Sequence, residues 1–108
     1  MGTMELIRTE DEFEGLLEQA VVIVFKHSTW CGISAGAHRE VERFASEHPE
    51  QTVYKVEVIE SRGVSNFIEA KTGVRHESPQ LLVLKRGEVV WHGSHGSVTA
   101  DAIGASLG

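Results

Sequence analysis

The run Val21-Val22-Ile23-Val24-Phe25 restricts the possible folds of this chain more than any other stretch. It is continuously apolar and rich in β-branched side chains, which indicates a strand that is buried on both faces. Such strands are typical of a parallel or mixed sheet with helices on both sides. A polar turn follows, and the single cysteine, Cys31, stands just before a helical pattern.

Apolar spacing along the rest of the chain predicts the order helix–strand–helix–strand–helix–strand–strand–helix. Residues 1–4 are expected to be a ragged terminus or a cloning remnant. Proline after His48 ends the helix that follows Cys31, and Lys85 to Glu88 form the turn of a terminal hairpin. The strands are predicted over 21–25, 52–59, 81–84 and 89–91, and the helices over 10–20, 32–47, 61–71 and 99–107.

Length and charge narrow the function classes. With 108 residues the chain is predicted to form one domain, residues 1–108. Its net charge of −6 argues against nucleic acid and anionic membrane surfaces as partners. No apolar run approaches the length of a membrane span. A lone cysteine cannot form an internal disulfide, so a cytoplasmic protein with a free thiol is expected.

Cys31 is the candidate nucleophile. At the N-terminus of a helix, free N–H groups and the helix dipole favour the thiolate. The Ser34 hydroxyl is expected to donate a hydrogen bond to that thiolate, which lowers the thiol pKa. The alternative is a cysteine that only fills space in an inert domain.

The element order resembles the thioredoxin fold. The stretch from Gly73 to Val90, with Ser78-Pro79 and the turn Lys85-Arg86-Gly87, resembles the second half of a thioredoxin. The resemblance implies an α/β fold with a central mixed four-stranded sheet flanked by helices on both faces. It also implies that Pro79 is a cis-proline beside Cys31.

The motif Cys31-Gly32-Ile33-Ser34 has serine where a dithiol thioredoxin has its second cysteine. Monothiol glutaredoxins, which bind a [2Fe–2S] cluster with glutathione, carry a similar motif, but their glutathione-binding flanks are absent here. The segment from Lys26 to Ser34 instead resembles the YtxJ family, the monothiol bacilliredoxins. That resemblance implies bacillithiol as co-substrate and S-thiolated proteins as partners.

Five further residues are candidate contacts of a substrate. Lys26 is expected to meet a carboxylate or to be solvated at a strand end. His27 is expected either to stabilise the thiolate when protonated or to lie solvated in a loop. Trp30 is expected to cover one side of the sulfur, and Ser78 and Pro79 are expected to present backbone groups to an incoming disulfide. The spacing of the six histidines does not favour a metal site, and no cofactor is expected.

The sequence therefore predicts a monothiol thiol–disulfide oxidoreductase that acts through Cys31. Two alternatives stay open. One is a glutaredoxin-like carrier of an iron–sulfur cluster, and the other is a non-enzymatic adaptor domain with an inert thiol.

Overall fold

The structure, a computed structural model, describes residues 3–28 and 32–108. Within these residues, five strands form one mixed sheet in the order β1-β3-β2-β4-β5. The central strand β2 is parallel to β3 and antiparallel to β4. The strands are β1 Thr3–Leu6, β2 Val21–His27, β3 Thr52–Glu57, β4 Gln80–Lys85 and β5 Glu88–Ser94.

In the described part of the chain, α1 and α3 pack on one face of the sheet and α2 and α4 on the other. Local capping explains several helix ends: Thr9 and Glu12 form a capping box, and Thr99 accepts a hydrogen bond from the Ala102 amide. None of the described helices is long and apolar enough to cross a membrane. The helices are α1 Glu10–Leu16, α2 Gly32–Glu47, α3 Arg62–Thr72 and α4 Ala100–Leu107.

Strand β2 contributes to two separate cores. Ile23 and Phe25 pack against α2 and α4, whereas Val22 and Val24 pack against α1 and α3. None of these four residues is more than 1% exposed. The run at 21–25 is therefore buried on both faces as predicted, and the α/β fold with helices on both sides is confirmed.

The predicted count of four strands is wrong, because residues 3–6 form a fifth. Strand β1 pairs in parallel with β3, from Thr3 opposite Thr52 to Leu6 opposite Lys55. An edge strand of four residues carries little periodicity of its own, and it is specified by a partner far along the chain. The expectation of a ragged terminus over residues 1–4 is wrong for Thr3 and Met4.

Several element boundaries also differ from the prediction: β5 runs to Ser94 rather than to residue 91, and α1 ends at Leu16 rather than at residue 20. Strand β2 continues past Phe25 because Lys26 pairs with both β3 and β4, and His27 pairs with β3. Strand β3 ends at Glu57 rather than at Ile59. The polar end of β2 is thus part of the sheet, and this extension determines the geometry of the candidate site.

Candidate functional site

The last two residues of β2 direct their side chains to opposite faces of the sheet. Side chains alternate along a strand, so His27 follows Phe25 towards α2, and Lys26 follows Val24 towards α3. Both side chains are buried: Lys26 is 0% exposed and His27 is 7% exposed. This end of β2 therefore carries two buried polar groups, one beneath each face.

His27 contacts Ser34 in the first turns of α2. The Nδ1 atom of His27 lies 2.7 Å from Ser34 Oγ, and the Ser28 amide donates to the same oxygen at 3.0 Å. The Ser34 side chain is fully buried. Its hydroxyl thus joins the start of α2 to the end of β2. The imidazole tautomer decides whether Ser34 donates to Nδ1 or accepts from it.

His27 is neutral at physiological pH. Its ring packs against the rings of Phe25 and His38, at centroid distances of 5.4 and 4.7 Å, and those two rings are also in contact with each other. Burial is the main cause that lowers the pKa of His27 from 6.5 to about 4; the neighbouring His38 and Lys55 contribute in the same direction, and Glu60 opposes them. His27 is therefore neither the protonated group nor the solvated loop residue that the sequence suggested.

An open cleft of about 310 Å³ lies beside this histidine. Its lining consists of His27 from β2 together with Ala35, His38 and Arg39 from α2. The cleft runs along the helix whose first residue, Gly32, directly follows Cys31 in the sequence. Among the described residues that line this cleft, Arg39 is the permanently charged one.

Lys26 lies in a polar cluster on the opposite face. Its Nζ donates to the Ser65 carbonyl of α3 at 3.1 Å and lies 3.3 Å from His76 Nδ1. Burial lowers the pKa of Lys26 to about 8, partly offset by the negative charge of Glu69. A fully buried amine with these partners fits neither predicted role, a contact to a substrate carboxylate or a solvated strand end.

His76 connects this cluster to the segment that leads to Pro79. Its backbone amide donates to Glu69 Oε2 at 2.9 Å, and its Nδ1 lies 3.0 Å from Ser65 Oγ. Burial lowers the pKa of His76, and the positive charge of Lys26 adds to that effect. A charged lysine amine can only donate, so the His76 Nδ1 that faces it is the acceptor of a neutral ring.

We call residues 74–79, between the end of α3 and the start of β4, the proline loop. The Ser78–Pro79 peptide bond is cis. The His95 amide donates to the Pro79 carbonyl at 3.0 Å, and His95 itself has a φ of 53°. Buried Gln80 donates through Nε2 to the Arg75 carbonyl at 2.9 Å. The loop is thus held by groups from β4 and from the segment after β5.

The Ser78 hydroxyl does not take part in the hydrogen bonds that hold the proline loop. Its Oγ is buried and has no hydrogen-bond partner among the residues that the structure describes. A buried hydroxyl without a partner is uncommon in native proteins and costs free energy. This oxygen, next to Pro79, is available to a group that the described residues do not supply.

The structure brings some of the predicted site residues together. His27 and Ser34 are in direct contact. Lys26 pairs with Gln80 across the sheet, so the end of β2 lies beside the proline loop. Trp30 and Cys31 lie outside the described residues. No group of three or more His, Cys, Asp or Glu side chains within 3–28 and 32–108 is placed to hold a metal ion.

Sequence reasoning missed the polar cluster around Lys26. Ser65, Glu69 and His76 come from α3 and the proline loop, and no local pattern connects them to β2. A predicted strand that included Lys26 would have pointed to this cluster, because side chains alternate along a strand and the lysine is then directed towards α3.

Comparison with known proteins decides the family. The family profile described as "Monothiol bacilliredoxin BrxC" matches residues 5–103. The chain belongs to this family. A solved structure of a candidate oxidoreductase with a thioredoxin fold is 33% identical to this bacilliredoxin, with a TM-score of 0.91, and the match covers 97% of this chain and 94% of that one.

Two thioredoxins are also similar to this bacilliredoxin. Thioredoxin-1 of Saccharomyces cerevisiae is 30% identical over 84 residues, which is 77% of each chain. The thioredoxin of Malassezia sympodialis has a TM-score of 0.77 at 20% identity, over 99% of this chain and 90% of that one, which shows the shared fold. Together with the family, these similarities support a redox enzyme of the thioredoxin-like class.

Proposed function

We propose that this bacilliredoxin is a monothiol thiol–disulfide oxidoreductase that removes bacillithiol from S-bacillithiolated proteins through Cys31. The observation that carries the proposal is Ser34, held at the start of α2 by His27 and the Ser28 amide. Dithiol relatives have their second cysteine at this position. A hydroxyl cannot attack a mixed disulfide, so the small thiol has to leave Cys31 by an external reaction.

The proposed reaction has two exchanges. The Cys31 thiolate attacks the bacillithiol sulfur of the mixed disulfide; the new sulfur–sulfur bond forms as the old one breaks, and the client cysteine leaves as a thiolate that takes up a proton. A second bacillithiol thiolate then attacks the bacillithiol sulfur on Cys31. Cys31 leaves as the thiolate, and bacillithiol disulfide is the oxidised product. This chemistry suits the reducing cytoplasm.

The predicted site residues are proposed to have distinct roles. Ser34 is proposed to donate a hydrogen bond to the Cys31 thiolate. When the Nδ1–H of a neutral His27 donates to Ser34 Oγ, the hydroxyl hydrogen of Ser34 stays free for this bond. Trp30 is proposed to shield the sulfur. Ser78 and Pro79 are proposed to receive the extended client segment, with the unpaired Ser78 hydroxyl as one contact.

A client protein with one S-bacillithiolated cysteine tests the proposal. We expect mass spectrometry to find a bacillithiol adduct on Cys31 and a free client thiol. Ser34→Cys is the matched variant, because a second thiol at that position should displace bacillithiol and leave an internal disulfide with Cys31. A client glutathionylated at the same cysteine compares the two small thiols.

Several outcomes would contradict the proposal. Absence of the adduct, or equal client release by Cys31→Ala, rules out the nucleophile. Equal rates on the glutathionylated client would remove bacillithiol as the preferred thiol. A brown dimer that requires glutathione on anaerobic reconstitution would favour the cluster carrier. A Cys31 pKa near the ordinary value of about 8.5 would favour the inert adaptor.

A further inference from the structure

Lys26 is buried at a place where burial of a charge has no evident structural benefit. The amine is 0% exposed and lies on the face of β2 that packs against α3. Removal of a charge from water costs several kcal/mol, and an apolar residue of similar size is often as stable or more so. The cost calls for a role other than packing.

The partners of Lys26 indicate that role. The amine is bonded to α3 through the Ser65 carbonyl and contacts the proline loop through His76 Nδ1. Glu69 faces it from α3 and also accepts the His76 amide. One cation thus joins β2, α3 and the loop that ends at Pro79.

Gln80 supports the same loop from the neighbouring strand. Lys26 and Gln80 are opposite each other in the antiparallel pair of β2 and β4, so their side chains leave the same face. Gln80 bonds the Arg75 carbonyl, and its Oε1 accepts from the Glu77 amide at 3.4 Å. The two buried side chains therefore hold consecutive parts of the proline loop, at residues 75–77.

We propose that Lys26 is a positioning residue for client proteins: through His76 it holds the proline loop in the conformation that receives the client segment around its mixed disulfide. The inference rests on the proposed function. It assigns Lys26 to client docking and leaves attack by the Cys31 sulfur to other groups. Substitution of Lys26 is therefore expected to change the KM for a thiolated protein.

Removal of the amine leaves no obvious unpaired group behind. Ser65 lies inside α3, so a backbone amide of the same helix still donates to its carbonyl. The His76 Nδ1 atom still has the Ser65 hydroxyl as its hydrogen-bond partner. Lys26→Met has a similar length and is expected to fold. Loss of activity in this variant can then be separated from loss of stability.

The test compares Lys26→Met with Lys85→Met. Lys85 donates to the Leu107 carbonyl at 3.2 Å and lies at the end of β4 that is far from the proline loop. It is therefore a matched control, a lysine that also donates to a backbone carbonyl. We expect Lys26→Met to raise the KM for the S-bacillithiolated client about tenfold. We expect its kcat and the rate of Cys31 alkylation by iodoacetamide to stay within twofold of wild type, and Lys85→Met to change none of these.

Amide hydrogen exchange provides a readout that does not depend on turnover. The His76 and Glu77 amides should lose protection in Lys26→Met and keep it in Lys85→Met. His76→Phe, which removes the other end of the contact, should raise the KM in the same way. Wild-type KM and protection in Lys26→Met, or a parallel fall in alkylation, would overturn the inference. If the wild-type protein does not turn over the client, the proposed function fails. Amide hydrogen exchange then decides by itself whether Lys26 holds the proline loop.

Discussion

His27 Nδ1 lies 2.7 Å from Ser34 Oγ, and this contact joins the end of the central strand to the helix that follows Cys31. The Ser28 amide bonds to the same hydroxyl. In the proposed function the hydroxyl stabilises the thiolate, and the histidine orients the hydroxyl. The two residues should then act as a pair.

A double-mutant cycle measures this pairing. Ser34→Ala removes the hydroxyl, and His27→Phe keeps a ring packed against Phe25 and His38. We expect each variant to raise the Cys31 pKa, and the double variant to add little to either, because the histidine acts through the serine. The pH dependence of iodoacetamide alkylation reports this pKa. Additive shifts would show that the two residues act independently.

The burial of His27 predicts a loss of stability in acid. Its pKa falls from 6.5 to about 4 in the fold, so the unfolded chain binds more protons between these values. The stabilising effect of a neutral His27 is complete above pH 6.5 and is lost as the pH falls towards 4. The loss amounts to about 3 kcal/mol for a shift of this size.

Urea denaturation at several pH values checks this expectation. His27→Phe should flatten the pH dependence between 6.5 and 4 relative to wild type, because phenylalanine binds no proton. His92→Phe is the control, since His92 is an exposed histidine on β5. The expectation is wrong if both variants keep the wild-type slope.

Lys26 predicts a pH dependence at the alkaline end. Its pKa falls from 10.5 to about 8 on folding, so the unfolded chain binds more protons between these values, and stability rises with pH there. Below pH 8 the buried charge costs about 3 kcal/mol, which two hydrogen bonds of about 1 kcal/mol each partly offset. Lys26→Met should therefore be slightly more stable than wild type at pH 7.

The advantage of Lys26→Met should shrink as the pH rises from 8 to 10.5. Free energies of unfolding from urea titrations at pH 7, 9 and 10 measure the difference between the two proteins. Lys85→Met accounts for the general effect of one lysine fewer. A constant difference across this range would mean that Lys26 does not lose its proton in the folded protein near pH 8.

Local patterns predicted the parts of the fold that depend on neighbouring residues. The run at 21–25 predicted a strand buried on both faces. Arg86 and Gly87, at φ values of 52° and 82°, form the hairpin turn that was predicted over residues 85–88. Each of these signals lies within a few residues of the structure that it specifies.

Long-range pairing determines what the sequence did not reveal. Thr3 to Leu6 form a strand because β3 binds them, and Lys26 is buried because β3 and β4 extend the sheet around it. His76 lies 50 positions along the chain from Lys26, so no local period connects them. Ser34, which the sequence singled out by its spacing to Cys31, lies at the start of α2 in contact with His27.

Ser78 predicts a gain in stability combined with a loss of activity. Its buried hydroxyl has no partner among residues 3–28 and 32–108, so Ser78→Ala removes an unpaired polar atom and keeps the Cβ. Removal of such a group should leave the free energy of unfolding unchanged or raise it by about 1 kcal/mol.

The same hydroxyl is proposed to contact the client, so Ser78→Ala should lower kcat/KM for the S-bacillithiolated protein about tenfold, the value of one hydrogen bond of about 1.4 kcal/mol. Ser94→Ala is a useful comparison, because the Ser94 hydroxyl already donates to Glu77 Oε2 at 2.9 Å. Thermal denaturation and steady-state kinetics of both variants give the answer. If Ser78→Ala loses stability and keeps wild-type kcat/KM, the hydroxyl has a structural partner and does not meet the client.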